Sequence, residues 1–188
     1  MKDDTGPSAV SIRTLLGRAT GRFRRDQRGA TAVEFALIAL PFFALLFAIL
    51  ETALMFLVGQ ALETATEDSA RLIRTGQAQQ QGFDADAFRD SICDQVVVLY
   101  KCPTKLILDV RTADDFAGVD LSTPVAAGQL DDDDFGYDDG NGESIVVVRA
   151  FYEWPTVTQF LGAGFTKLAN GNHLLTAAAA FRNEPFPW

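Results

Sequence analysis

Glu34 is the only charged side chain between Arg28 and Glu51, and it stands five residues after Gly29 in RRDQRGATAVEFALIALPFF. A carboxylate in such an apolar run is costly once the run enters hydrocarbon, up to about 2.5–3.5 kcal/mol at mid-helix and less near the membrane edge. Two chemistries accommodate it. Glu34 can sit at the interface, where it snorkels or protonates, or it can await a cation in an assembly. A cut after Gly29 would create one, the α-ammonium of Ala30, and in a helical array Glu34 of one subunit would neutralise Ala30 of its neighbour.

Three other groups of residues bear on chemistry. Cys93 and Cys102 enclose eight residues; they read as a disulfide in an oxidising compartment and as two buried thiols elsewhere. A bridge there would contribute on the order of 2–3 kcal/mol. The Cys-x-x-Cys spacing of a redox pair is absent. Asp131, Asp132, Asp133, Asp134, Asp138 and Asp139 form an acidic run that could offer carboxylate oxygens to calcium. It departs from the twelve-residue calcium-loop template, since position 5 is Phe135 and position 12 is Gly142. A solvated, flexible acidic loop is therefore the expected reading, with calcium as the weaker candidate. The single His173 has no G-x-S-x-G nucleophile motif to serve, and no Gly-rich phosphate loop occurs. One His and two Cys exclude a four-ligand zinc framework. No catalytic residue, cofactor or small-molecule substrate is expected.

The elements that must position these residues follow from the apolar pattern. Phe35–Val58 is a run of 24 residues with one charge, Glu51. As a helix it would extend about 36 Å, enough for a hydrocarbon core of about 30 Å. It has no polar face before Glu51, as a soluble core helix would. Pro41 removes one backbone hydrogen bond, which membrane helices tolerate. Beyond it Val58, Leu62, Ala65, Leu72 and Ile73 keep one helical stripe while Glu63, Glu67, Asp68, Arg71 and Arg74 take other faces. One helix over 30–75 is expected, transmembrane over about 35–58 and continuing as an amphipathic stem.

Residues 1–29 hold seven Lys/Arg against three Asp, a balance of +4; residues 30–188 hold nine against 22, a balance of −13. The acidic bulk argues against nucleic acid. Six Arg in residues 10–29 against two in 59–78 place the basic arm in the cytoplasm and the larger part outside by the positive-inside rule. The arm and the apolar run are both too long for an ordinary secretory signal.

Residues 76–188 read as a small α+β domain. TGQAQQQG is a polar connector. Asp84 caps a short helix over 85–94 with Phe88 and Ile92 inward. VVVLY (96–100), KLILDVRT (105–112), SIVVVRAFYEW (144–154) and HLLTAAAAFR (173–182) read as strands, the alanines of the last leaving helix as a rival. Residues 113–143 are loop, and Pro155 begins a turn or short helix to about Leu161. Phe151, Tyr152, Trp154, Phe160 and Phe165 are expected in packing, and Phe186 and Trp188 form a packing tail or contact surface. The expected fold is α+β: a three- or four-stranded antiparallel sheet packed on the stem helix.

Arg-Gly-Ala-Thr-Ala-Val-Glu-Phe-Ala-Leu (28–37), followed by Pro41 and a Phe/Leu-rich run, resembles the TadE-like proteins of the tight-adherence (Tad/Flp) pilus system, pseudopilins or minor pilins of the type IV pilus class. FYEWP (151–155) and LLTAAAAFRNEPF (174–186) resemble that family's C-terminal segments; the resemblance does not extend to the acidic loop. The resemblance implies cleavage at Gly29–Ala30 by a prepilin peptidase that recognises Glu34 and Phe35. The glutamate and the short chain fit the TadE or TadF type better than the TadG type. It also implies a non-enzymatic inner-membrane protein, single-pass with its C-terminal domain periplasmic, whose partners are other pilin and pseudopilin subunits. The alternative is an unprocessed anchored periplasmic binding or adhesion protein, for which Glu34 would be dispensable.

Overall fold

The structure, a computed structural model, describes residues 27–156 and 168–187. Residues 1–26 of the basic arm, Phe160, Phe165, Trp188 and most of the turn expected after Pro155 lie outside those residues. The chain falls into two compact units, Met1–Leu46 and Phe47–Trp188. The described part of the first is helix alone.

Helix α1 runs Gln27–Arg74 with Pro41 inside it, beginning three residues before the expected start. Threonine hydroxyls bond back into the helix: Thr52 Oγ1 donates to Ala48 O at 2.8 Å and Thr66 Oγ1 to Leu62 O at 2.8 Å. Up to Leu57 its large apolar side chains other than the half-buried Met55 are exposed, with Phe35 at 70 % and Phe56 at 67 %. From Val58 onward one stripe is buried: Val58, Leu62, Ala65, Thr66, Ser69, Ala70 and Ile73. The amphipathic stem is thus present, with Leu72 at its half-buried margin.

The helix stops at Gly76, whose φ of 76° is the left-handed conformation that glycine adopts without strain. The C-terminal tail secures that end. Glu184 N donates to Arg74 O at 2.8 Å, the Arg74 and Glu184 side chains approach to 3.9 Å, and the Phe186 ring lies against the Gly76 Cα. TGQAQQQG is not the plain connector expected. It folds into a short helix α2, Gln77–Gln81, which buries Ala78. Helix α3, Ala85–Cys93, follows the expectation: Asp84 accepts from Ala87 N at 2.8 Å and Phe88 and Ile92 are buried. Burying side chains of that size stabilises by about 1.5–3 kcal/mol each. A single turn α4, Cys102–Lys105, leads into the sheet.

Strands β1 (Leu106–Ala113), β4 (Ile145–Trp154) and β5 (His173–Arg182) form one antiparallel sheet in the order β1-β4-β5. The central strand β4 is buried from Ile145 to Tyr152 on both faces. Val146, Val148, Ala150 and Tyr152 join the cluster of the α1 stripe, together with Leu106, Leu108, Val110, Leu175 and Ala177. Phe151 turns to the other face with Leu168, Leu174 and Phe135. The alternation is what a period of two requires.

VVVLY is not a strand. Leu99 N donates to Val96 O at 3.1 Å and Cys102 N to Leu99 O at 3.2 Å, so the segment is a succession of turns. The Cys93–Cys102 bond closes it too tightly for an extended run to pair with the sheet. The loop 113–143 holds a small hairpin, β2 (Val125–Ala126) with β3 (Gln129–Leu130). Nor is all of it free in solvent: Val110 N donates to Gly136 O at 2.8 Å and Asp138 N to Val110 O at 2.9 Å, binding residues 136–138 to the outer edge of β1.

Candidate functional site

Gly29, Ala30, Glu34 and Phe35 all lie in the first turns of α1 and are exposed. Ala30 and Glu34 are four apart, hence on one face of the helix with about 6 Å of rise between them. Glu34 makes no ion pair or hydrogen bond among the described residues. Gly29 has no structural demand upon it: a Cβ there would meet nothing within 4 Å, and its φ is not positive. Glycine inside a helix costs about 1 kcal/mol relative to alanine, so local packing does not explain the choice of residue.

Around Glu34 the helix is apolar and uncovered. Among the described residues one helix, Gly29–Arg74, is long and apolar enough to cross a membrane, with a mean hydropathy of 2.5 over its most apolar window and none of that window buried. A core helix of a soluble protein would be covered. Exposed rows of Leu, Ile and Phe of this length mark a surface for lipid or for other apolar helices.

Residues 29–71 match the family model of TadE-like proteins. This TadE-like segment takes in Gly29, Ala30, Glu34, Phe35, the apolar run and most of the stem, and it is the family that the junction motif resembles. FYEWP and LLTAAAAFRNEPF, which begin in β4 and β5 and run past their ends, lie beyond it, and so do the disulfide and the acidic loop. No curated protein and no solved structure matches the chain. Outside the TadE-like segment the remaining candidate residues rest on their own geometry.

Cys93 and Cys102 are bonded, with an S–S distance of 2.00 Å and a Cα–Cα distance of 5.6 Å. The six acidic-run carboxylates are not drawn into one set. Asp131, Asp132, Asp133, Asp134 and Asp138 are exposed, and among the described residues no group of three or more potential ligands gathers around a point. Asp138 instead accepts from Thr112 Oγ1 at 2.8 Å and Gly140 N at 3.1 Å. Burial, followed by the charge of Asp138, raises the Asp139 carboxyl above the usual range, its own backbone hydrogen bond partly opposing this. His173 opens β5 half-buried.

Asp109, Arg111 and Arg149 form a polar group that local pattern did not single out. Asp109 is fully buried, and each of its oxygens is claimed. Arg149 donates Nε at 3.0 Å and Nη2 at 2.7 Å to Oδ2. Arg111 donates Nε at 3.1 Å and Nη2 at 2.7 Å to Oδ1, which also accepts from Gly136 N at 3.2 Å. The arginines reach onward, Arg149 Nη1 to Ser122 O at 3.0 Å and Arg111 Nη2 to Asp134 O at 3.2 Å. The Arg149 guanidinium lies 5.6 Å from the Phe135 ring and 5.8 Å from the Phe151 ring. The signal was present: Asp109 is the one acid inside LILDV, and Arg149 the one base inside IVVVRAF. The group ties both limbs of the acidic loop to the sheet. It borders a cavity of about 460 Å³ whose wall also holds Asp114, Asp115 and Asp120.

Proposed function

We propose that the protein is a membrane-anchored pseudopilin or minor pilin of Tad (Flp) type IV pilus assembly, non-enzymatic, with its basic arm in the cytoplasm of a bacterial cell and its C-terminal domain in the periplasm. A prepilin peptidase cleaves after Gly29. The observation that carries this reading is Glu34: a carboxylate one turn from Ala30, without a partner among the described residues, on an uncovered apolar helix. The freed ammonium of a neighbour's Ala30 supplies that partner, and the pair is favoured chiefly because either charge left alone in low dielectric is expensive. Gly29 supports the same reading, since nothing around it excludes a side chain while a peptidase that reads the junction would. The first turn is also where a helix opens most readily to present a peptide bond.

The test is Glu34→Ala in cells that carry the cognate peptidase and pilus components. The wild-type chain is expected to begin at Ala30 by intact mass. The variant is expected to insert and persist but to lose co-purification with the other pilin subunits. Wild-type association by the variant, or only full-length wild-type chain, would overturn the reading and leave a plain anchor.

A further inference from the structure

The loop closed by Cys93 and Cys102 turns Val96 and Leu99 inward and leaves Val97, Val98 and Tyr100 at 91 %, 56 % and 69 % exposure. Scattered surface apolar residues are ordinary, but these three fall within four positions on a loop held at both ends. The disulfide closes it, and Tyr152 Oη donates to Tyr100 O at 2.9 Å. Their exposure is therefore built in rather than a product of slack. Lys101 and Lys105 flank the tip, with Nζ 5.3 Å and 5.9 Å from the Tyr100 ring centre. Arg74, Arg89, Arg111 and Arg149 pair with carboxylates; these two lysines make no ion pair among the described residues.

A surface of complementary character lies on the same chain. Asp114, Asp115, Asp120 and Asp131–Asp134 are exposed, and Phe116 and Leu121 among them are about half exposed. The bonds from Arg111 to Asp134 O and from Arg149 to Ser122 O hold this surface in place. The two surfaces are rooted in different layers. Val96, Leu99 and Cys102 belong to the helix-side cluster, and Phe135 to the cluster on the other face of the sheet. No ion pair among the described residues joins them within one chain.

We infer that the Cys93–Cys102 loop of one copy docks on the 114–134 surface of a second copy. Val97, Val98 and Tyr100 cover Phe116 and Leu121, and Lys101 and Lys105 face the aspartates. Two different patches meeting in this way form a heterologous contact, which builds a ring or an open array according to the rotation between copies. Tyrosine, valine and lysine would also suit an anionic lipid surface. The second copy is favoured by local complementarity: its seven exposed aspartates face the lysines, and Phe116 and Leu121 among them offer apolar cover at the same place. The contact goes beyond the helix-mediated assembly proposed above and does not depend on Glu34.

The experiment mixes equal amounts of unlabelled and ¹⁵N-labelled full-length chain in detergent micelles and applies a zero-length carbodiimide. Mixed-isotope peptide pairs linking Lys101 or Lys105 to aspartates of 114–134 are expected. Val97→Asp with Tyr100→Ser keeps both lysines and should lower their yield about tenfold. Lys101→Asp/Lys105→Asp chains mixed with Asp132→Lys/Asp133→Lys chains should regain links of reversed polarity, which neither gives alone. Links within single chains only, an unchanged yield in the Val97/Tyr100 variant, or lysines shielded by phosphatidylglycerol vesicles in place of a second copy would each overturn the inference. Glu34→Ala chains keep both surfaces and should still cross-link, so a failure of helix-mediated assembly and a failure of the loop contact give different results.

Discussion

Asp109 and Arg149 occupy directly opposed positions of the antiparallel β1–β4 pair, and their side chains close the distance to 2.7 Å with the carboxylate wholly shielded from solvent. Such a pair is weak support for stability as a whole, because both ions lose water to form it, but removing one partner strands the other. Asp109→Ala should therefore lower the unfolding free energy by about 3–5 kcal/mol. Asp109→Leu with Arg149→Met should recover most of that loss, read by urea unfolding. Equal losses in the single and double variants would contradict this account of the pair.

The disulfide should behave as a constraint on the unfolded chain. Replacing Cys93 and Cys102 together by Ser should cost about 2–3 kcal/mol, the value for so short a loop, measured by the same unfolding method. In protein from intact cells, alkylation before reduction should leave both cysteines unlabelled. Full labelling would place this domain in a reducing compartment and count against a periplasmic location.

Gly76 has two reasons to remain glycine. Its φ is 76°, and a Cβ would fall 2.7 Å from the Phe186 ring. Gly76→Ala should cost about 1–2 kcal/mol from the left-handed backbone alone, with the ring contact adding to it. In a Phe186→Ala background only the backbone part should remain. The two substitutions are then non-additive in a double-mutant cycle; strict additivity would remove the proposed contact.

Asp139 gives a pH dependence of definite sign. Its carboxyl is raised in the folded protein by burial, so the folded state holds the proton more tightly than the unfolded state. Its contribution to stability is greatest below the unfolded value and falls as pH rises through the folded one. Asp139→Asn should leave stability unchanged at low pH and raise it at neutral pH. Parallel thermal denaturation curves at the two pH values decide this, and a variant less stable than wild type at neutral pH would reverse the sign.

The long helix, its change of character at Val58 and the strands β1 and β4 were legible from local pattern alone, the helix from its apolar run and the stripe beyond it, the strands from β-branched and aromatic composition. The match of residues 29–71 to the TadE-like family model was foreshadowed too, since the motif that resembles it lies within one short stretch, residues 28–37. Helix remained a rival for HLLTAAAAFR because alanine favours it, and pairing along the whole of β4 decided for strand. Val96–Tyr100 was misread because β-branched composition looks the same in a strand and in a turn. What set it was a covalent closure between Cys93 and Cys102 together with Val96 and Leu99 pointing into one core. Asp109 and Arg149 each stood out as a charge in an apolar strand, yet only the register of β1 on β4 makes them partners. In the same way, only the tertiary fold brings Phe186 to Gly76 and residues 136–138 to the edge of β1. Periodicity reports what a segment buries; it carries no information on which distant segment lies opposite, because that depends on register and on the closure of loops between them.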